Sequence, residues 1–462
     1  MEEIEELGEF WLPEDAENTR SGILTFGHRS AKFDLTLFNP FEDPVALMAS
    51  VETHQGYPVI FGVLASGQPV TLTNAQIFSS TFHFGGIASA KLELHPDYIF
   101  LGAHLGSGLS SSFSGFRMEF EHFNEWAFSG VPATRSVDEG SIVLTETSIE
   151  DVECDAFGGH LKVRFATSTA SGLFESSLGR SAYVEFDLDE STDLRSLTSN
   201  VSAPLQYFLT FACGVPVHPV SLGVSVDGLG QTVGTVQVPV LVEVGYRGWH
   251  GASNEKPPTM MRLPLATIRG RFGEVVTAWE VLYGEQERAM LLLFSISLGL
   301  DLYLDTRFLF AVQAVELYHR KKWPDGVMPK MEHKQRVKDV VDGIEDRKTR
   351  TWLKEKLAYS NEPTLRQRLE VMLQYSEIGD APVFRDDLPR IAADTRNYLT
   401  HFNPRLKAKA AADEDLFILG REVMALLELC LLRDLGFDGP TSLVLSSNTP
   451  LFQYLLKVPY SN

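Results

Sequence analysis

The hydrophobic period of this chain changes once, from two to 3.6, and the change falls across Gly251-Ala-Ser-Asn-Glu-Lys-Pro-Pro-Thr259. A half-buried strand turns alternate side chains inward, whereas an amphipathic helix buries every third or fourth. One stretch of pattern cannot serve both, so the chain must change class here. The segment itself is small and polar, and its two prolines disfavour helix at the residues before them. Residues 251–259 therefore read as a linker between a β-rich region over 1–250 and an all-α region over 262–440. Residues 441–462 read as an irregular C-terminal tail with a short apolar helix at Leu451–Leu456.

Before the linker, the runs Ala31–Phe38, Tyr57–Leu64 and Ser181–Leu188 alternate or stay apolar over strand lengths, with Gly, Pro, Asn and Asp between them. Gly102–Gly108, with a serine run beyond it, reads as a loop. The expected arrangement is two sandwich-like lobes divided near Glu150. After the linker, the spacing predicts helices over about 273–299, 301–322, 330–342, 344–359, 362–376, 387–403 and 412–435. Asp413 and Glu414 open the last of these, and Gly436 and Pro440 lie past its end, as helix termini prefer. The most apolar run, Met290–Leu300, is about half the length a bilayer span needs and reads as a buried core helix.

Charge separates the two regions again. The chain carries 40 basic and 61 acidic residues, for a formal net charge of −21. Residues 261–462 hold 28 of each sign, so the whole excess lies in residues 1–260. That acidic half repels nucleic acid, while the balanced half is free to hold a local basic cleft. Cys154, Cys213 and Cys430 lie far apart and form no CxxC pair, which argues for a reducing compartment and against a zinc site. The opening residues MEEIEELGEF are acidic where a secretory or mitochondrial leader would be basic. The expectation is a soluble cytoplasmic protein with no membrane contact, no cofactor and no metal.

Arg-x4-His occurs twice, where chance alone predicts roughly 0.6 occurrences for this composition. In Phe116-Arg-Met-Glu-Phe-Glu-His-Phe123 the alternation reads as a strand, in which a separation of five sends Arg117 and His122 to opposite faces. That pair reads as structural. Arg396-Asn-Tyr-Leu-Thr-His401 lies instead on a helix that Asp386 or Asp387 can cap, that Pro389 suits at its first turn, and that Asn403-Pro404 ends. On a wheel of about 100° per residue with Ile391 at zero, Tyr398, Phe402, Thr395, Leu388 and Leu399 form one stripe centred at about 30°. Arg396 falls at about 140°, Thr400 at about 180°, Asn397 at about 240° and His401 at about 280°, across the polar face.

Those residue types suit metal-independent RNA cleavage. The reaction removes a 2′-hydroxyl proton, stabilises charge on phosphorus and protonates the leaving 5′-oxygen. Histidine titrates near neutrality and serves as acid or base; a guanidinium fork grips phosphate oxygens and stays charged throughout. One helix offers one His, so acid and base together require a second copy, which a symmetric dimer would supply. The bland alternative is a C-terminal His favoured by the helix dipole beside an ordinary surface Arg. Taken alone, the motif does not displace it.

Arg396-Asn397-x-x-x-His401, with Asn directly after Arg on the penultimate long helix of an all-α domain, resembles the signature of HEPN ribonucleases. The longer run Asp394–Phe402 is similar to the ApeA-like branch of that family, found in bacterial anti-phage abortive-infection proteins. Phe61-Gly62, Ile99-Phe-Leu-Gly-Ala-His104 and Phe123-Asn-Glu-Trp126 resemble, in that order, the family's β-rich leading domain. The resemblance spans nearly the whole chain. It implies a HEPN helical bundle that homodimerises to form a composite site, and an endoribonuclease that cuts RNA by 2′-hydroxyl attack, leaving 2′,3′-cyclic phosphate ends. Substrate RNA, with tRNA one candidate, and a phage component as trigger are the implied partners. Arg396, Asn397 and His401 carry over as catalytic residues. Thr400, Glu316 and His319 are further candidates for lining the cleft, although an exposed amphipathic helix accounts for the last two as well. The acidic leading half would then act as a sensor that regulates the nuclease. The alternative is a non-catalytic HEPN-like module that holds a nucleotide or a partner's carboxylate.

Three other signals are weaker. Gly228-Leu-Gly230-Gln-Thr-Val-Gly234 runs into a strand instead of a helix, so it is no dinucleotide fingerprint. Glu316-x-x-His319 is half of a carboxylate metal site with no second pair to complete it. Lys330 to Arg350 is rich in Lys and Arg among several acids; it reads as a solvated face, or else as a guide that leads RNA toward the cleft.

Overall fold

The computed structural model describes residues 3–27, 30–41, 56–83, 89–106, 112–131, 134–138, 141–145, 149–171, 176–233, 236–246, 259–298, 302–379 and 381–458. The expected linker up to Pro258, the end of the Gly102–Gly108 loop and Gly234 lie outside the described residues. The chain divides into two compact units, one of Met1–Thr259 with Leu263–Thr277, the other of Met260–Arg262 with Ala278–Asn462.

In the first unit, strands β1 (Ile4–Leu12), β2 (Asp15–Gly27), β3 (Lys32–Phe38), β4 (Tyr57–Leu64), β5 (Pro69–His83) and β6 (Ser89–His95) pair antiparallel in the order β5-β4-β1-β2-β3-β6. β6 then returns to β5, closing a six-stranded barrel. Phe10 is wholly buried, and its ring lies against Gly62 so closely that a Cβ there would stand 2.4 Å from the ring. β5 changes partner along its length. Its first half lies between β4 and β7 (Tyr98–Leu101); its second half leaves for β6. The change spans Asn74, left-handed at φ 47°, and a register shift between Ile77 and Ser79, the kind of bulge that bends a strand.

Beyond β7 the same sheet runs on. With β8 (Phe113–Phe120), β9 (Thr134–Asp138), β10 (Ser141–Thr145), β11 (Val152–Ala156), β12 (Gly159–Ser171), β13 (Ser176–Thr192), β14 (Pro219–Val233) and β15 (Val236–Tyr246), its order is β7-β15-β14-β8-β13-β12-β11, while among the described residues β9 and β10 form a separate two-stranded sheet. The β-rich character is as expected, but the two sandwich-like lobes are not found. β8, before Glu150, pairs with β13 and β14 after it, so one sheet crosses the expected boundary. Alternation assigns each side chain a face and says nothing about which strand lies alongside. The Gly228–Gly230 stretch sits inside β14, consistent with its reading as strand. β8 ends at Phe120, and His122 lies past it in a left-handed turn, while Arg117 stacks over Tyr183 at 4.3 Å. The pair is structural, although the strand is shorter than its alternation suggests.

Helices α1 (Phe123–Ala127), α2 (Leu194–Leu197), α3 (Ala203–Cys213) and α4 (Leu265–Ile268) complete this unit, together with the start of α5 (Phe272–Ser297). Trp126 is buried and donates its indole N–H to the Leu263 carbonyl at 2.7 Å.

The helical unit contains the rest of α5, then α6 (Leu304–Lys322), α7 (Lys330–Asp342), α8 (Arg347–Leu357), α9 (Leu365–Ser376), α10 (Leu388–His401), α11 (Asp413–Asp434), α12 (Gly439–Ser446) and α13 (Pro450–Leu455). The first seven match the expected helices to within about three residues at each end, the usual fraying of such boundaries. Among the described residues, no helix is long and apolar enough to cross a membrane. In the C-terminal stretch the expected short apolar helix is present as α13, but the residues before it form α12 where an irregular tail was expected, and Phe452 and Leu455 pack into a core with Val383, Ala425 and Leu429. Gly436 and Pro440 lie past the end of α11 as expected, and Pro440 stands in the first turn of α12, where its missing N–H costs nothing, while Asp438 caps that helix by accepting from the Thr441 amide at 2.7 Å.

Within this unit, Arg262 is 1% exposed and pairs with Glu428 of α11. Burial lowers the Arg262 pKa and raises that of Glu428, while each charge opposes the shift of the other. Removing one partner strands a buried charge, whereas removing both does not. Glu428→Leu alone is expected to cost about 3–5 kcal/mol, and Arg262→Met with Glu428→Leu far less. Urea midpoints of the intact chain measure this; equal losses in the single and double variants would contradict it.

Candidate functional site

α10 begins after Asp387 with Pro389 in its first turn. Leu388, Pro389, Ala392 and Thr395 are its buried residues, and the Thr395 hydroxyl accepts the Ala411 amide at 2.9 Å. The buried face is thus centred at about 90° on the wheel, about 60° from the expected stripe. Ile391 and Tyr398 are only half-buried, and Phe402 is 73% exposed. Phe402 is not helical: it is the C-cap, left-handed at φ 49°, with its ring edge-on to Tyr398 at 6.1 Å.

That rotation brings Arg396 to the flank of the helix, half-buried beside α6. Its Nη2 donates to both carboxylate oxygens of Glu316, at 3.0 and 3.3 Å, and its Nη1 donates to Asn397 Oδ1 at 3.1 Å. An ion pair this exposed contributes about 0–1 kcal/mol, so its effect is to orient the guanidinium more than to hold the fold. Of the five N–H donors of an arginine, at least two stay unengaged by described residues. His401 ends the helix exposed, and its imidazole makes no hydrogen bond or ion pair with any described residue. It stands about 7.5 Å along the axis from Arg396. The site therefore joins an oriented cation to a solvent-facing imidazole on one polar face, a geometry able to hold a phosphate and to pass a proton.

The remaining candidates divide. Glu316 belongs to the site through Arg396, which the sequence did not disclose, because the contact joins residues eighty apart. Asn397 belongs through the same guanidinium. Thr400 turns its hydroxyl back onto the Arg396 carbonyl of its own helix at 2.7 Å. His319, one turn along α6 from Glu316, is 2% exposed and lies against Trp323, with ring centroids 5.0 Å apart. Its Nδ1 accepts from Arg368 Nη1 of α9 at 3.0 Å, which places the ring proton on Nε2. Burial first, and the Arg368 charge second, push its pKa down to about 4, so it is neutral at neutral pH. Glu316 and His319 thus face different partners and do not form half of a metal site. Arg368, itself 4% exposed and also donating to the Pro363 carbonyl at 3.0 Å, is the residue no sequence signal singled out.

Residues 5–279 match the family described as ApeA N-terminal domain 1, and residues 309–440, which include Glu316, Arg396 and His401, match the Apea-like HEPN family. No curated protein and no solved structure shows a significant match.

The buried His319 makes stability depend on pH in a defined direction. Its folded pKa of about 4 lies below the ordinary 6.5, so between those values the unfolded chain binds the extra proton. Stability is complete above pH 6.5 and falls as pH drops toward 4, by at most about 1.4 kcal/mol per unit from this group. Thermal melts of the intact chain and of His319→Gln at stepped pH are expected to converge as the pH falls through this window. Parallel curves would rule the effect out.

Proposed function

The chain belongs to the ApeA N-terminal domain 1 family and carries an Apea-like HEPN domain in its helical half, and from that premise we propose that it is a metal-independent endoribonuclease of an anti-phage abortive-infection system. The observation that carries the reading is the pairing of a guanidinium oriented by Glu316 and Asn397 with an unengaged, exposed His401 on the same helix. Arg396 grips the scissile phosphate and offsets the charge that builds on it. His401 takes the 2′-hydroxyl proton or gives one to the 5′-oxygen, and its counterpart in a second copy of the helix does the other. The product is a 2′,3′-cyclic phosphate and a 5′-hydroxyl. RNA, with tRNA among the candidates, is the substrate, the active species is a homodimer through the HEPN domain, and the cytoplasm is where it acts. The acidic N-terminal half, which bears the whole net charge, supports a regulatory role in which it holds RNA off until a phage component binds.

The test is total RNA from phage-challenged cells expressing intact protein, Arg396→Ala or His401→Ala at matched levels. Fragmentation and protection are expected to fall together by about 10² or more in both variants, the usual worth of a general acid or base. Glu316→Gln, which frees the guanidinium without removing it, is expected to lose less than either. Variants that still cut would move the active site elsewhere. RNA that is bound but never shortened would favour the non-catalytic module, and fragmentation at full rate before infection would remove the regulatory role.

A further inference from the structure

α7 and α8 form a helical hairpin in the chain between α6, which carries Glu316, and α9, which carries Arg368. Asn361 clasps its base: the side chain donates to the Met328 carbonyl and accepts the Met328 amide, both at 3.0 Å, and its own carbonyl takes the Val327 amide at 2.9 Å. Within residues 330–357 the side chains not exposed are His333, Val337, Val341, Ile344, Leu353 and Leu357, recurring at helical spacing on the inner faces. Everything else faces solvent. Nine of those exposed residues are Lys or Arg against six Asp or Glu, a net positive arm on a chain of net charge −21. None of the nine makes an ion pair with any described residue.

The outer face of α8 is the informative one. Lys348, Trp352 and Lys356 recur at i, i+4 and i+8, so they form one exposed stripe along α8, centred about 120° around the helix from Leu353 and Leu357. Trp352 is 56% exposed, whereas Trp126 and Trp279 are buried at 1% and 0%. A large indole flanked by two unpaired cations matches a single-stranded nucleic acid, which offers phosphates at intervals and a base face between them. An acidic protein surface would satisfy the lysines alone and leave the indole in water. One turn past Glu316, the exposed Lys321 continues the basic character toward the base of the hairpin, beside Arg320, which pairs with Glu362 at 3.1 Å.

We propose that the α7–α8 hairpin is an RNA-docking arm, in which Lys348 and Lys356 hold backbone phosphates while Trp352 stacks on a base, without reading sequence. The proposal rests on RNA being the substrate of the site above. It is tested on the full chain, in extract of phage-infected cells so that the trigger is present, with a fluorescein-labelled, uridine-rich 2′-O-methyl RNA, which has no 2′-hydroxyl to attack. Lys348→Gln with Trp352→Ala and Lys356→Gln is expected to weaken binding at least about tenfold, and to flatten the slope of log K against log salt by about 1.4, for two lost phosphate contacts. Lys348→Arg with Trp352→Phe and Lys356→Arg is expected to bind as the intact chain does, which separates the arm from mere folding. Fragmentation of unmodified RNA in infected cells is followed in parallel. A triple Gln/Ala/Gln variant that binds with unchanged affinity and salt slope, in a chain that still cuts RNA, overturns the arm alone. An intact chain that neither binds the probe nor cuts RNA overturns the arm and the nuclease together.

Discussion

Thr395 is wholly buried on α10, and its hydroxyl accepts the amide of Ala411 across the turn that follows the helix. With Leu388 and Ala392 it fixes the rotation of α10 about its own axis. Every other feature of the site depends on that angle. A rotation of a third of a turn would bury His401 or expose the whole of Arg396; the observed one leaves the guanidinium at the rim and the imidazole in water. A buried hydroxyl with a made hydrogen bond is costly to move, because any new rotation leaves either the oxygen or the amide unsatisfied. The orientation of the polar face is therefore set by a residue that touches nothing reactive.

α6 is the second organiser of the helical unit. Within its last two turns it presents Glu316 to Arg396, Tyr318 and Lys322 to Asp434, and His319 to Arg368. Asp434 also takes the Tyr375 hydroxyl at 2.8 Å, so one carboxylate ties α6, α9 and α11 together. Where burial is deepest, around Asp434 and His319, it strengthens these contacts and makes them dependent on one another. The Glu316–Arg396 pair is more open to solvent than the Lys322–Asp434 pair, so it is the member of the series that a ligand reaches more readily.

The helices were legible because period and capping are local properties: Thr364 and Gln367 form a capping box, Asp346 and Asp438 cap their helices, and the observed ends follow. The site was legible in part. Arg396, Asn397 and His401 lie on one helix, and a wheel places them on its polar face whatever the rotation within some tens of degrees. Phe402 misled the wheel, since it was counted as helical and pulled the stripe toward Tyr398, whereas the helix had already ended in a left-handed residue. Glu316 and Arg368 find their partners across the bundle, where spacing carries no information. The barrel was illegible for a related reason. Its closure rests on β5 trading β7 for β6 near Asn74, and a single Asn in a strand-like run does not disclose a change of partner.

The closed barrel leaves the large sheet with a free end at β11, and that strand is built as an end. It has five residues, and its exposed positions are Glu153 and Asp155, both carboxylates. His160, across the turn in β12, lies 2.7 Å from Asp155 and 3.4 Å from Glu153. Short length and paired negative charge discourage another chain from adding a strand there. A sheet of this size has to avoid pairing with a second copy along its edge, and here two side chains of one short strand carry that duty.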